Sequence, residues 1–284
     1  MNIVSIYREY PTEKSCIDRL ETVKWKGVPT CPYCKSTKAT AMPKEERYHC
    51  NTCNTTYSVT VGTIFHNTKL DLQKWFLAVA LMLNAKKGLS ARQLARDLEV
   101  NKNTAWFMAM RIRRAMLDSG ELLRGIVEMD ETYIGGKPRK GGRPGKRGRG
   151  TDKIPVVGMV QRDGNVRAKV APKLSSKRLM QLVRRNVDKG ESILITDEFK
   201  GYSKANSEVL RHLTINHSVS YARGAIHTNT IEGFWALLKR GIVGQYHKVS
   251  LPYLQKYIDE FAFRFNNRKN EGIFDLTLTN ALGA

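Results

Sequence analysis

The sequence predicts an α/β domain, a mixed sheet with flanking helices, preceded by a small zinc ribbon and a helix-turn-helix. Three observations predict it. From Gly125 onward the order is three strands, a helix, a strand, a short helical piece, a strand and then helices, the alternation of an α/β domain. Upstream lie two Cys-x-x-Cys pairs in turn-rich sequence. Between these regions, "GLSARQLARDLEVNKNTAWFMAMRIRRAM" gives two short helical patterns separated near Val100–Asn103. The expected boundaries are 1–27 for an N-terminal helical segment, 28–66 for the ribbon, 67–122 for the helix-turn-helix domain and 123–284 for the α/β domain, with a basic loop at 137–153. There is no internal repeat.

The 284 residues carry 48 basic and 26 acidic side chains, a formal charge of +22 spread along the chain. Such a field attracts polyanions, nucleic acid above all. The longest strongly apolar run, Trp75 to Leu83, is about half of the roughly 20 residues a spanning helix needs. "MNIVSIYREY" lacks the charged-then-apolar layout of a secretory signal. The expectation is a cytoplasmic, nucleic-acid-facing protein.

In the first segment Cys16, Leu20 and Val23 recur at helical spacing after Pro11–Thr12, which makes Cys16 a core residue. The other four cysteines, Cys31, Cys34, Cys50 and Cys53, leave fifteen residues between the pairs. That spacing suits a structural zinc site: each pair bends into a knuckle presenting two thiolates, and two knuckles complete a tetrahedron. With four protein ligands, no position is left for a substrate. His49, beside Cys50, is not needed.

A further helix is expected over Asp71–Asn84. In the pair that follows, Leu89, Leu94, Leu98, Val100 and Ala105 fall where a helix-turn-helix packs its helices together. A second helix starting near Lys102 is expected to turn Lys102, Asn103, Trp106 and Arg113 outward, toward a major groove.

After Gly125, "GIVEMDETYI" and "IPVVGMVQ" read as strands. "NVRAKVA" follows the Asp163–Gly164 turn signal and closes a hairpin. Leu179, Leu182 and Val183 mark one face of a helix over Ser176–Val187. "SILITDE" has the nearly all-apolar texture of a strand buried on both faces, and "RHLTINH" is a fifth strand. Two helices close the chain, near Asn229–Arg240 and Leu251–Asn266; the amphipathic face of the latter suits internal packing or an interface equally well.

Three acids stand out. Asp130 and Asp197 end apolar strands, and Glu232, separated from Asp197 by 34 residues, lies on the helix whose Ile231, Phe234, Trp235 and Leu238 form an apolar stripe. Asn229 and Lys239 share the side of Glu232 at about 100° per residue. Carboxylates gathered from two strand ends and a helix repel one another unless cations fill the gap. Two Mg²⁺ (or Mn²⁺) ions roughly 4 Å apart would do so and would support phosphodiester displacement. Lys239 and Arg240 would then face the DNA backbone. Glu131 and Glu198 follow the aspartates and point to the opposite face of a regular strand, so auxiliary roles at most are expected. His227 could touch phosphate or satisfy a backbone group.

"MDETYIGG", "ITDEFKGY" and "HTNTIEGFWALLKRGIVGQYH" resemble the catalytic blocks of bacterial insertion-sequence transposases of the DDE type. The cysteine quartet, "GTIFHNTKL" and the helix-turn-helix resemble the group with an N-terminal zinc ribbon, so the likeness spans nearly the whole chain. It implies a ribonuclease H-like catalytic domain, Mg²⁺ dependence, and cleavage and joining of double-stranded DNA at inverted repeats. It also makes Asp130 and Asp197 the first two metal ligands. Members differ in having Glu, Asn or His at the third position; the spacing and the following lysine favour Glu232, with Asn229 as the alternative. Two ends must be held together, so a homodimer or larger assembly on DNA is expected.

The run from Lys137 to Lys153 holds eight basic residues, one acid, five glycines and two prolines. It has too little apolar surface to fold by itself. It is expected to fold onto DNA near the cleaved phosphate through Arg139, Lys140, Arg143, Lys146, Arg147 and Arg149. Two other functions fit the same residues: a structure-specific nuclease on this fold, and a catalytically silent, domesticated regulator that only binds DNA.

Overall fold

The computed structural model describes residues 2–117, 120–135, 153–215 and 227–283. The chain forms two compact units, Met1–Leu117 with Lys269–Ala284, and Asp118–Arg268.

In the first unit, α1 (Ile3–Glu9) and α2 (Glu13–Trp25) stand where the sequence suggested one helix. Thr12 starts α2 with a capping box shared with Ser15, which satisfies two otherwise orphaned groups. The chain then enters β1 (Ala39–Met42), β2 (Arg47–Cys50) and β3 (Thr56–Tyr57), an antiparallel sheet in that order. Trp25 packs edge-on against Tyr48 and Tyr57, so α2 and the ribbon form one body rather than two segments. Next come α3 (Leu72–Asn84), α4 (Ala91–Asp97) and α5 (Lys102–Ala115). The turn between α4 and α5 uses Glu99 in the left-handed region (φ 52°), and Leu89, Leu94, Leu98 and Ala105 are buried as expected.

The second unit contains β4 (Leu123–Ile134), β5 (Ile154–Gln161), β6 (Val166–Val170), α6 (Ser176–Asn186), β7 (Val187–Asp197) and β8 (Arg211–Ile215). After these follow α7 (Asn229–Gly241) and α8 (Leu251–Asn266). The sheet order is β6-β5-β4-β7-β8. The first three strands are antiparallel, whereas β7 runs parallel to β4 and β8 parallel to β7. This is the ribonuclease H-like mixed sheet. Val127, Met129, Val157 and Met159 pack on the side of Leu179 and Val183 of α6. The alternation of a strand therefore turns Glu128, Asp130 and Gly158 to the other face, which α7 covers. Along the free edge of β6, Gln255 and Asn266 of α8 exchange side-chain hydrogen bonds with the backbone of Ala168, Val170 and Val166, which blocks further strand pairing there.

The sequence reading ended the chain on two helices and assigned 123–284 to the α/β domain. Both points need correction. A further helix, α9 (Ile273–Gly283), belongs to the first unit and packs on α2, α3 and α5. Its buried Phe274, Leu278, Ala281 and Leu282 complete that unit's core. Among the described residues no helix is long and apolar enough to cross a membrane.

Candidate zinc and carboxylate centres

The two cysteine knuckles share one backbone design. Lys35 N–H donates to Cys31 O at 3.0 Å and Asn54 N–H to Cys50 O at 2.9 Å. Lys35 and Asn54, each directly after the second cysteine of its pair, take left-handed φ values of 62° and 55°. Across the pairs, Cys31 Sγ lies 3.7 Å from Cys53 Sγ and Cys34 Sγ 3.5 Å from Cys50 Sγ. A tetrahedron with Zn–S bonds of about 2.3 Å has edges of about 3.8 Å, so the four sulfurs fit zinc. Backbone N–H donors from Cys53 and Thr52 pull the Cys50 thiol down to about 6, whereas Cys34, against the pull of the Ser36 backbone, is pushed up to about 12 by burial and by its bonds to the other three sulfurs.

The second centre forms where β4 and β7 lie side by side. Glu128 pairs with Ile195 in the parallel ladder, which brings Asp130 level with Asp197, the last residue of β7. One carboxylate oxygen from each of Asp130, Glu131 and Asp197 lies within 4.8 Å of the others. Glu131 is the surprise here. Strand alternation sends it to the α6 face, but β7 stops at Asp197 while β4 runs on, and a three-torsion side chain reaches round that open end. Tyr202, 1% exposed, donates its hydroxyl to Glu131 Oε2 at 2.8 Å. Phe199 N–H donates to Asp197 Oδ1 at 3.0 Å, and Trp235 Nε1 donates to Asp130 Oδ2 at 3.0 Å.

Burial, and next the charge of Glu131, raises the Asp130 carboxyl to about 7; Asp197 adds to the rise. Such a group is only partly ionised in neutral solution, and a positive charge beside it would favour the carboxylate. An all-oxygen donor set of this kind fits a hard divalent cation.

Helix α7 is anchored beside this centre by Glu128, a fully buried acid that sequence reasoning passed over. Thr230 and Ile231 donate their backbone N–H groups to Glu128 Oε2 at 2.9 and 3.1 Å, and Thr230 Oγ1 donates to Oε1 at 3.0 Å. Arg162 Nε donates to Oε1 at 2.7 Å, while its Nη2 donates to His227 O at 2.9 Å. His227 is thereby part of the anchor. The available signal was the single acid inside "IVEM", two residues before Asp130 and so on its face.

The remaining sequence-predicted residues divide as follows. Glu232 and Asn229 are exposed on α7; Glu232 accepts from Thr228 Oγ1 at 3.1 Å and lies outside the 4.8 Å group. Glu232 is nevertheless one helical turn from Trp235, which touches Asp130. Lys239 and Arg240 are exposed in the last turn of α7. On α5, Lys102 and Asn103 are exposed and Trp106 is half-buried. Arg113 is corrected: it is 3% exposed, on the stripe of Ala105, Met108, Ala109 and Ile112 that packs into the unit. The face opened by Lys102 is covered further along the helix, and the exposed side carries Phe107 and Arg114 instead. Arg139, Lys140, Arg143, Lys146, Arg147 and Arg149 lie outside the described residues.

Comparison with known proteins follows the same division. Residues 122–266 match the ISXO2-like transposase domain, and residues 11–56 match a transposase zinc-ribbon domain. A protein in the transposable element ISH50 of Halobacterium salinarum is 27% identical over 273 residues, 90% of this chain and 92% of that one. A transposase-like protein of Haemophilus influenzae is 32% identical over 98 residues, 34% of this chain and 78% of its own. Among solved structures, the Mos1 transposase paired-end complex with the left transposon end aligns with a TM-score of 0.30 at 15% identity, covering 72% of this chain and 78% of that one.

Proposed function

The chain belongs to the family of ISXO2-like transposases, and on that premise we propose that it cleaves DNA at the ends of an insertion sequence and joins the freed 3′ ends to a target. The observation that carries this reading is the meeting of Asp130 and Asp197 on neighbouring parallel strands, with carboxylate oxygens close enough to hold a cation. Asp130 and Asp197 would hold two Mg²⁺ or Mn²⁺ ions, with Glu232 as third ligand and Asn229 as its alternative. Bound there, the ions would activate a water or a 3′-hydroxyl and neutralise the phosphate. Tyr202 keeps the Glu131 carboxylate turned in toward the centre, and Trp235 holds Asp130. A change of rotamer at Glu232 would bring its carboxylate toward Asp130 from α7.

DNA would be held in two places. Helix α5 would enter the major groove with Lys102, Asn103 and Trp106, joined by Phe107 and Arg114. Lys239, Arg240 and the basic run would follow the phosphates near the carboxylates. Two copies or more would pair the two ends of the element.

One assay tests the whole reading: linear DNA bearing the candidate terminal repeats, incubated with Mg²⁺ and scored for end cleavage and strand transfer. Both products are expected. Cutting of branched DNA without joining would point to a nuclease, and binding alone to a silent regulator. In the same assay Glu232→Gln should abolish transfer and leave repeat binding intact; full activity there, with loss in Asn229→Ala, would move the third ligand to Asn229.

A further inference from the structure

We propose that Trp235 is a positioning residue for the metal centre: its indole N–H fixes the Asp130 carboxylate in the orientation that receives a divalent cation, and residue 158 is glycine to admit that indole. The inference rests on the reading of the carboxylate cluster as a divalent-metal site.

The geometry separates this role from simple packing. Trp235 belongs to the apolar stripe of α7 and is 4% exposed, so its ring alone could be core filling. A buried indole N–H must still find an acceptor, and the one it reaches at 3.0 Å is Oδ2 of Asp130, on the strand beyond β5. To get there the ring lies over Gly158, the residue paired with Asp130 in the antiparallel β4–β5 ladder. A Cβ at position 158 would stand 2.5 and 2.6 Å from Cζ2 and Cη2 of Trp235, and 2.8 Å from Cδ1 of Ile231. Those are rigid ring atoms and a buried methyl, so any side chain there would displace the indole from Asp130.

The helix cannot slide to compensate. Glu128, on the same face as Asp130, ties the backbone N–H groups of Thr230 and Ile231 to β4. The start of α7 and Trp235 thus meet the same strand at positions two residues apart. One bond from the indole uses only a fraction of the roughly four lone-pair directions of the carboxylate. The remainder stay available to a cation while rotation of the group is restrained.

The test uses the full, zinc-loaded chain and Mn²⁺ as the probe, with affinity measured by calorimetry and by water-proton relaxation. Trp235→Phe keeps an aromatic ring on the buried stripe of α7 and removes the donor, together with the part of the indole that lies over Gly158. It should weaken Mn²⁺ binding by about 10- to 100-fold, the usual loss when the hydrogen-bond partner of a metal ligand is removed. Strand transfer should recover at high Mn²⁺. Gly158→Ala should weaken Mn²⁺ binding in the same way although it alters neither bonded partner. Should either variant fold poorly, the unaltered protein still decides: Mn²⁺ should quench part of its tryptophan emission, and Asp130→Asn should remove that quenching. Unchanged Mn²⁺ affinity in folded Trp235→Phe, or emission insensitive to bound Mn²⁺, overturns the proposal. If the unaltered protein binds no Mn²⁺, or binds it equally well as Asp130→Asn, the metal-site reading itself falls and takes the proposal with it.

Discussion

The zinc ribbon and the carboxylate centre collect their ligands in opposite ways. Cys31, Cys34, Cys50 and Cys53 come from two turns of identical design and one short hairpin, with sulfurs 3.5 to 3.7 Å apart across the pairs. Asp130 and Asp197 come from strands remote in sequence and meet only because β4 and β7 are parallel neighbours. The first site is a local device in which a metal would tie together a ribbon whose own core is one small aromatic cluster, Trp25, Tyr48 and Tyr57. The second is a product of topology, held by a sheet that is complete without any metal, and its neighbours Trp235, Tyr202 and Phe199 restrain carboxylates that would otherwise swing apart. Metal loss should therefore unfold one and merely unsettle the other.

The largest effect expected is on the ribbon. Binding of a structural zinc supplies on the order of 10–16 kcal/mol to the folding of such a domain. Chelation, or Cys50→Ser, should expose the amides of β1 and β2 to rapid hydrogen exchange while β4, β5 and β7 keep their protection. Ribbon amides that stay protected after zinc removal would break the contrast. Next in size is Asp197→Asn. It should eliminate end cleavage, leave binding to terminal repeats unchanged and leave the melting temperature of the metal-free protein no lower, because a repulsive charge is lost and the sheet is untouched. A lowered melting temperature would mean that the acids stabilise the fold.

The same contrast explains what could be read from the sequence. The cysteine spacing is visible in one short window, and the strands of the α/β domain announce themselves through β-rich runs and the Asp163–Gly164 turn. Asp130 and Asp197 were legible because each follows an apolar stretch; Asp197 does end β7, whereas Asp130 lies inside β4, which continues to Ile134. Glu128 was not: its importance lies in receiving the N-terminus of a helix a hundred residues away, which no local pattern records. The tilt of Glu131 toward the site depends on where the neighbouring strand stops, and alternation within β4 says nothing about β7. Arg113 misled because a face exposed at the start of α5 is covered near its end. Its helix packs with α9, whose weakly amphipathic sequence gave no helical stripe to find.

A smaller effect follows from the raised carboxyl of Asp130. The folded protein keeps this proton up to about pH 7, whereas an unfolded chain releases it near pH 4. Between those values the native state binds more protons than the unfolded state. Metal-free stability should therefore fall as pH rises from about 4 to 7, and level off above. Mg²⁺ should raise the melting temperature at pH 8 and have little effect at pH 5, where Asp130 is protonated. Asp130→Asn should erase both dependences. A metal-free melting temperature that rises across this interval in the wild type, and is unaltered in Asp130→Asn, would sink the assignment.

The smallest predicted change isolates Glu131. After burial, its charge is the largest contribution to the rise at Asp130, and its own carboxylate is held by Tyr202. Glu131→Gln removes that charge while keeping an oxygen for the tyrosine hydroxyl, so the sheet and the position of the side chain should be preserved. Asp130 should then ionise at lower pH, and the interval over which metal-free stability declines should end earlier. If Glu131 contributes only charge, Mg²⁺ should still stabilise the variant, and from a lower pH than in the wild type. If it is also a ligand, that stabilisation should shrink at every pH. The two outcomes differ in the size of the Mg²⁺-induced shift in melting temperature at pH 8, where Asp130 is ionised in both proteins. This comparison tells whether the reach of Glu131 around the end of β7 serves to tune the aspartate or to hold the metal.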